Sequence, residues 1–261
     1  MVKLFKTLYL KDGDRPFLPI MLALLLALTF LPGIAKSDGI KVFTEHMPPY
    51  NYSNEQNIAT GFCTEIVREI FNRSNIALDE DISLVPWARG YNFLENKSGV
   101  MLFSMTRSAE REPKFQWVGP LAKRTIWLWK LKAREDIAVT NLAEAKQYFV
   151  GGVYEFASSK YLQELGLKVD MVSTIEQNWK KLLLNRLDLV SALELEAAYS
   201  MQKLNRRFDE LQKVAIVDDR YEYYLAINPL TDPAYAKKLQ SALDQMKADG
   251  SYNELRLKYL R

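Results

Sequence analysis

Short apolar runs alternating with amphipathic stretches constrain this chain to one fold class. Ile40-Lys41-Val42-Phe43-Thr44 alternates like a strand, and Ile82 to Val85 reads as a second strand. Between them, Gly61 opens a stretch with apolar residues at Phe62, Ile66, Val67, Ile70 and Phe71. That recurrence lays one buried stripe along a helix. A shorter helix from about Ala88 to Glu95 leads to a third run, Val100-Met101-Leu102-Phe103. The order β-α-β-α-β predicts an α/β fold whose parallel sheet carries helices on its faces.

The third strand breaks into hydroxyls and charge: Ser104, Thr106, Arg107, Ser108, Glu110 and Arg111. In open α/β sheets ligands sit beyond the carboxyl ends of strands. A guanidinium holds a carboxylate through two parallel charge-assisted hydrogen bonds. The segment reads either as an anion site or as a surface turn whose arginines pair with Glu110 and Glu112. Upstream, the first strand ends in Pro48-Pro49-Tyr50-Asn51-Tyr52, where two prolines stop both helix and ladder. Tyr50 and Tyr52 are core lids or ligand platforms, and spacing does not separate the two.

A second α/β unit follows. Trp127, Trp129 and Leu131 share one side of a strand in TIWLWKL, and a helix from Leu142 to Gln147 and a strand from Phe149 to Tyr154 come next. Ser158 and Ser159 are expected as caps of the following helix, a role compatible with ligand contact at free N–H groups. A strand at 168–172 is followed by Ser173-Thr174-Ile175-Glu176, whose capping-box spacing opens a helix to about Arg186. A strand from Asp188 to Ala192 delivers Glu194 past its end, and helix is expected from there to about Arg206. Strands at 214–217 and 221–227 come next. Asp232-Pro233 caps a long helix from Ala234 to Lys247, and a last one spans Tyr252 to Tyr259.

The 261 residues begin with Lys3, Lys6, Lys11 and Arg15 ahead of an apolar run, Phe17 to Leu31. Small residues Gly33 and Ala35 follow, the pattern of a secretory leader with cleavage expected after Ala35. The alternative is an uncleaved anchor, for which the run is short against a span of roughly 20 residues. The leader carries four Lys/Arg against Asp12 and Asp14, so removing its +2 from the chain's +3 leaves +1. That near-neutral balance gives no argument for nucleic acid or an anionic membrane. Cys63, the single cysteine, excludes an internal disulfide, and His46, the single histidine, excludes a histidine-metal cluster. No metal and no cofactor are expected.

Several stretches together resemble the family 3 extracellular solute-binding proteins, periplasmic components of polar amino acid uptake. The resemblance covers nearly all of 39–261. It rests on Pro48-Pro49-Tyr50, Gly61-Phe62, Thr106 with Glu110-Arg111, Phe115-x-Trp117-Val118-Gly119-Pro120, and Leu243-Asp244-Gln245-Met246 through Ser251-Tyr252. It implies a two-lobe periplasmic binding protein-like fold (type II) with a ligand cleft between the lobes. Lobe 1 would take 36–122 plus 221–261 and lobe 2 would take 123–220, closing by hinge bending. Carried across, Arg111 clamps a ligand carboxylate, Thr106 and Ser104 are its companions, and Ser158 is the donor from lobe 2.

The sequence also departs from the family. Glu194 is one place off the acidic residue that holds a ligand ammonium. Met47 falls where an aromatic often stacks, a part open to Tyr50 or Trp87. Arg107 replaces a commonly apolar position, and a cleft with Arg89, Arg107 and Arg111 suits a dicarboxylate or another anion. The resemblance implies a monomeric periplasmic receptor, not an enzyme, that captures a small carboxylate-bearing molecule and presents it to an inner-membrane ABC permease. Two alternatives are a cyclohexadienyl dehydratase-like enzyme using Glu194 as its acid, and a ligand-sensing module for a separate signalling partner.

Overall fold

The computed structural model describes residues 39–154 and 156–260, so the expected leader and its cleavage site lie outside the described residues. In chain order the elements begin with β1 (Lys41–Thr44), a small antiparallel hairpin of β2 (Tyr52–Ser53) and β3 (Ala59–Thr60), and α1 (Phe62–Ser74). Then come β4 (Ser83–Leu84), α2 (Trp87–Asn96), β5 (Val100–Thr106) and β6 (Gln116–Lys123). A second group follows: β7 (Ile126–Leu131), β8 (Phe149–Val153), α3 (Ala157–Glu164), β9 (Lys168–Val172) and α4 (Ile175–Leu183). It ends with β10 (Leu189–Leu193), α5 (Glu194–Lys203) and β11 (Leu211–Asp218). The chain then returns through β12 (Glu222–Ile227), α6 (Pro233–Ala248) and α7 (Ser251–Lys258).

These strands form two five-stranded sheets, ordered β4-β1-β5-β12-β6 and β11-β7-β10-β8-β9. The expected parallel unit is present in the first, where β1 pairs parallel with both β4 and β5. β12 then inserts antiparallel between β5 and β6, so the sheet is mixed. In the second sheet β8 pairs parallel with β9 and β10, and β7 runs antiparallel to β10 and β11. The first sheet with its helices is termed the first lobe, and the second sheet with its helices the second lobe.

Both faces of β5 are buried. Met101 and Phe103 face α1 and α6, packed with Ile66, Ile70, Leu239 and Leu243, while Val100 and Leu102 face Leu94 of α2. Simple alternation would put Met105 with Phe103, yet it packs with Leu102. The switch occurs at Ser104, which has φ 60°, next to a register shift between Tyr224 and Leu225 on β12. A bulge of this kind re-aims the residues that follow it. Here it turns the end of β5, Thr106 included. Each fully buried Leu, Ile or Phe in this core contributes roughly 1.5–3 kcal/mol.

In the second lobe Trp127, Trp129 and Leu131 do share one apolar cluster, with Trp179, Val190 and Met201. Leu195, at the start of α5, is 4% exposed and belongs instead to the core of the first lobe. Two short crossings join the lobes, from Lys123 to Ile126 and from Asp218 to Glu222. They are tied to each other. The Arg124 N–H donates to the Tyr221 carbonyl at 3.3 Å, and Arg124 Nη1 meets Asp218 Oδ2 at 3.2 Å.

Two capping expectations need correction. Phe156, not a serine, is the N-cap of α3; Ser158 and Ser159 lie inside it, and Ser159 Oγ accepts the Val153 N–H at 2.9 Å. The capping box of α4 pairs Thr174 with Gln177, one place later than Ser173 with Glu176.

Candidate functional site

A cavity of about 290 Å³ is lined by residues from both strand groups. The first lobe supplies Met47, Pro48, Tyr50 and Tyr223, and the second supplies Ser158, Ser191, Leu193 and Glu196. Arg124, from the first crossing, completes the polar lining.

The loop after β1 is held from two sides. The Phe62 N–H donates to the Pro49 carbonyl at 2.9 Å and the Cys63 N–H to the Tyr50 carbonyl at 2.8 Å, so the loop satisfies the free donors at the start of α1. Gly61 permits this approach, with φ 116° and an added Cβ only 2.6 Å from the Tyr50 carbonyl oxygen. Asn51, fully buried, donates to the Glu45 carbonyl and accepts from the Ser104 hydroxyl. Ser104 is thereby committed to the loop and is 5% exposed.

Tyr50 is 2% exposed, edge-on to Tyr223 at 5.4 Å. Burial, then the neighbouring Tyr223, pushes its phenol well above the ordinary value. It is therefore a core residue with an edge on the cavity. Tyr52 packs on Tyr199 of α5 at 5.8 Å, a contact between lobes.

At the end of β5, Arg111 Nη1 donates to Thr106 Oγ1 at 2.9 Å and to the Thr106 carbonyl at 3.3 Å. Its guanidinium lies 5.6 Å from the ring centroids of both Trp87 and Tyr91, within cation–π range. Thr106 stands directly opposite Tyr223 across the β5–β12 ladder. Cross-strand partners share a face of the sheet, so Thr106 lies on the Tyr223 side of β5, although neither Thr106 nor Arg111 is among the residues that line the cavity.

The nine sequence-derived residues therefore separate. Thr106, Arg111 and Trp87 form one cluster, and Tyr50 and Ser158 line the cavity, whose lining includes none of those three. Arg107 is held by Glu112 in a two-pronged ion pair and covers Trp117 and Tyr224, as in the surface-turn reading. Arg89 is exposed on α2. Glu194 already has two cations of the chain, Lys213 and Arg256, as partners. Burial acts to raise its pKa, but those two cations outweigh it and hold the carboxyl below the ordinary value.

Sequence reasoning missed Glu196, Ser191 and Arg124. Burial pushes the Glu196 carboxyl up to about 7, against the Leu193 N–H, which donates to Oε2 at 3.3 Å and lowers it. Leucine at the N-cap has no side-chain oxygen, so the sequence carries no capping-box signature that marks this glutamate. Ser191 is 6% exposed, and its Oγ has no hydrogen-bond partner among the described residues. Among the described residues no group of three His, Cys, Asp or Glu is arranged to hold a metal ion.

Solved structures share this architecture at low sequence identity. A second substrate binding domain from Streptococcus pneumoniae superposes with TM-score 0.71 and 16% identity, covering 85% of this chain and 100% of that one. The substrate binding domain 2 of Lactococcus lactis GlnP, in an open conformation, gives 0.69 and 17%, covering 86% and 96%. A histidine kinase sensor domain with similarity to periplasmic binding proteins gives 0.59 and 17%, covering 85% and 96%. The fold is the two-lobe, type II periplasmic binding protein fold. Comparison with curated proteins returned no match. The family profile of the bacterial extracellular solute-binding proteins, family 3, matches residues 40–261, and the chain belongs to that family.

Proposed function

We propose that this protein is a periplasmic receptor that captures a small carboxylate-bearing ligand between its lobes and delivers it to an ABC permease. The observation that carries the reading is the Arg111 guanidinium, fixed on Thr106 at the end of β5, whose cross-strand partner Tyr223 lines a cavity shared by both lobes. At about 290 Å³ the cavity matches the small end of the usual range for small-molecule sites, roughly 300–1,000 Å³. In this reading Arg111 takes the carboxylate, Ser158 and Ser191 donate from the second lobe, and Tyr50 and Trp87 bound the site. Arg89 and Arg107 are left to the surface.

The lobes are proposed as 36–122 plus 221–261 and 123–220, with the hinge at the two crossings tied by Arg124. Closure stabilises the complex only by as much as the ligand prefers the closed state. The leader at 1–35 is proposed to direct export and to be removed, and the mature chain to act as a monomer. The likeness to a histidine kinase sensor domain supports a second reading, in which the closed form is read by a signalling partner instead of a permease. The dehydratase reading loses Glu194 as its acid, because Lys213 and Arg256 pair that carboxylate and hold it below the ordinary value. A thermal-shift panel of amino acids and dicarboxylates tests the receptor reading, since a bound ligand raises apparent stability by mass action. No shift with any carboxylate, across millimolar concentrations, contradicts it.

A further inference from the structure

The first turn of α5 divides two cavities. Leu193 and Glu196 face the one described above, and Glu194 and Leu195 face a second of about 440 Å³. The first crossing divides them in the same way. Arg124 and Ile126 line the first cavity, whereas Lys123, Thr125 and Trp127 line the second. An extended chain points successive side chains to opposite sides, so the two cavities lie on opposite sides of this crossing.

In the second cavity Glu194 bridges two bodies. Lys213 belongs to β11 of its own lobe, but Arg256 belongs to α7 of the other lobe. The pair is partly shielded, with the Glu194 side chain 25% exposed and that of Arg256 38% exposed. Leu195 adds an apolar contact on the same side, inside the core of the first lobe. Bending about a hinge that brings groups together on one side draws apart those on the other.

We propose that Glu194 and Arg256 form a latch behind the hinge, which opposes closure around the ligand and so sets the resting balance between the lobes. This rests on the receptor reading only in assigning the first cavity to the ligand. Arg256 is then a positioning residue that touches no ligand. Removing it makes closure easier, and the apparent affinity of a receptor rises with the fraction of molecules already competent to bind.

The test needs no ligand, so it stands apart from the identity of the solute. Spin labels at Ala109→Cys and Lys160→Cys, exposed positions just beyond the strand ends of the two lobes, report the interlobe distance by pulsed electron resonance. Cys63 is fully buried and stays unlabelled. In Arg256→Gln the short-distance population of the ligand-free protein is expected to rise about two- to fivefold, the reach of a partly exposed ion pair. Lys213→Gln removes an equal charge from the same carboxylate within one lobe and is expected to leave the distribution unchanged. Glu194→Gln should repeat the Arg256→Gln shift and carries the test if that variant does not fold. An unchanged or lengthened distance in both latch variants, or an equal shift in Lys213→Gln, overturns the proposal.

Discussion

Thr106 holds Arg111 in place: the hydroxyl accepts from Nη1 at 2.9 Å, and Tyr223, opposite Thr106 on β12, lines the cavity. Two aromatic rings, Trp87 and Tyr91, lie with their centroids 5.6 Å from its guanidinium and restrict where it can go. A cation fixed in this way loses little rotamer freedom when it takes a carboxylate. Thr106→Val keeps the shape and removes the acceptor. Its expected effect is a loss of roughly 0.5–1.5 kcal/mol in carboxylate binding, the value of one hydrogen bond, measured by titration calorimetry. Unchanged affinity in that variant detaches Thr106 from the site.

Asn51 supports the loop that carries Tyr50. It is fully buried and bonded to both Glu45 and Ser104. Asn51→Ala strands a buried hydroxyl and a carbonyl, at an expected cost of about 2–3 kcal/mol in chemical denaturation. A change below about 0.5 kcal/mol shows that the loop is held by the α1 donors alone.

Glu196 makes stability depend on pH. Its carboxyl is protonated in the folded protein up to about 7, whereas the unfolded chain releases the proton near 4.5. The folded state therefore binds more protons across that window. Its contribution is full below 4.5 and is lost as pH rises through about 7, on the order of 3 kcal/mol. Glu196→Gln should flatten this part of the stability profile. A profile between pH 4.5 and 7 identical to that of the parent protein rules the assignment out.

Cys63 is buried in α1, and burial pushes its thiol up to about 12, although Ser104 lowers it slightly. The thiolate is the reactive form, so the folded protein is expected to resist an aromatic disulfide reagent at neutral pH and to react fully in denaturant. Rapid labelling without denaturant contradicts the buried position.

How much was legible in the sequence varies by element. The order β1-α1-β4-α2-β5 follows from apolar periodicity alone, and the Asp232-Pro233 start of α6 is present, with Asp232 accepting the Ala234 N–H at 2.8 Å. β6 was not readable because Gly119-Pro120 in its middle looks like a breaker. It is an edge strand, where a missing N–H costs no ladder bond on the open side. The β2–β3 hairpin is too short for any period to register; the Asn54 side chain shapes its turn by accepting the Gln56 and Ile58 N–H groups. The contact between Thr106 and Arg111 was legible because both come at one strand end. Glu194 and Glu196 differ by two places on one helix turn, and only packing decides that the first meets Arg256 while the second meets the cavity.

The most direct test compares the parent protein with Arg111→Ala by calorimetric titration, using whichever amino acid or dicarboxylate most raises the melting temperature of the parent. The expected result is weaker binding by more than about 1.5 kcal/mol, the scale of a charge-assisted bond, at an unchanged ligand-free melting temperature. Equal affinity in the two proteins contradicts the claim that this guanidinium receives the ligand.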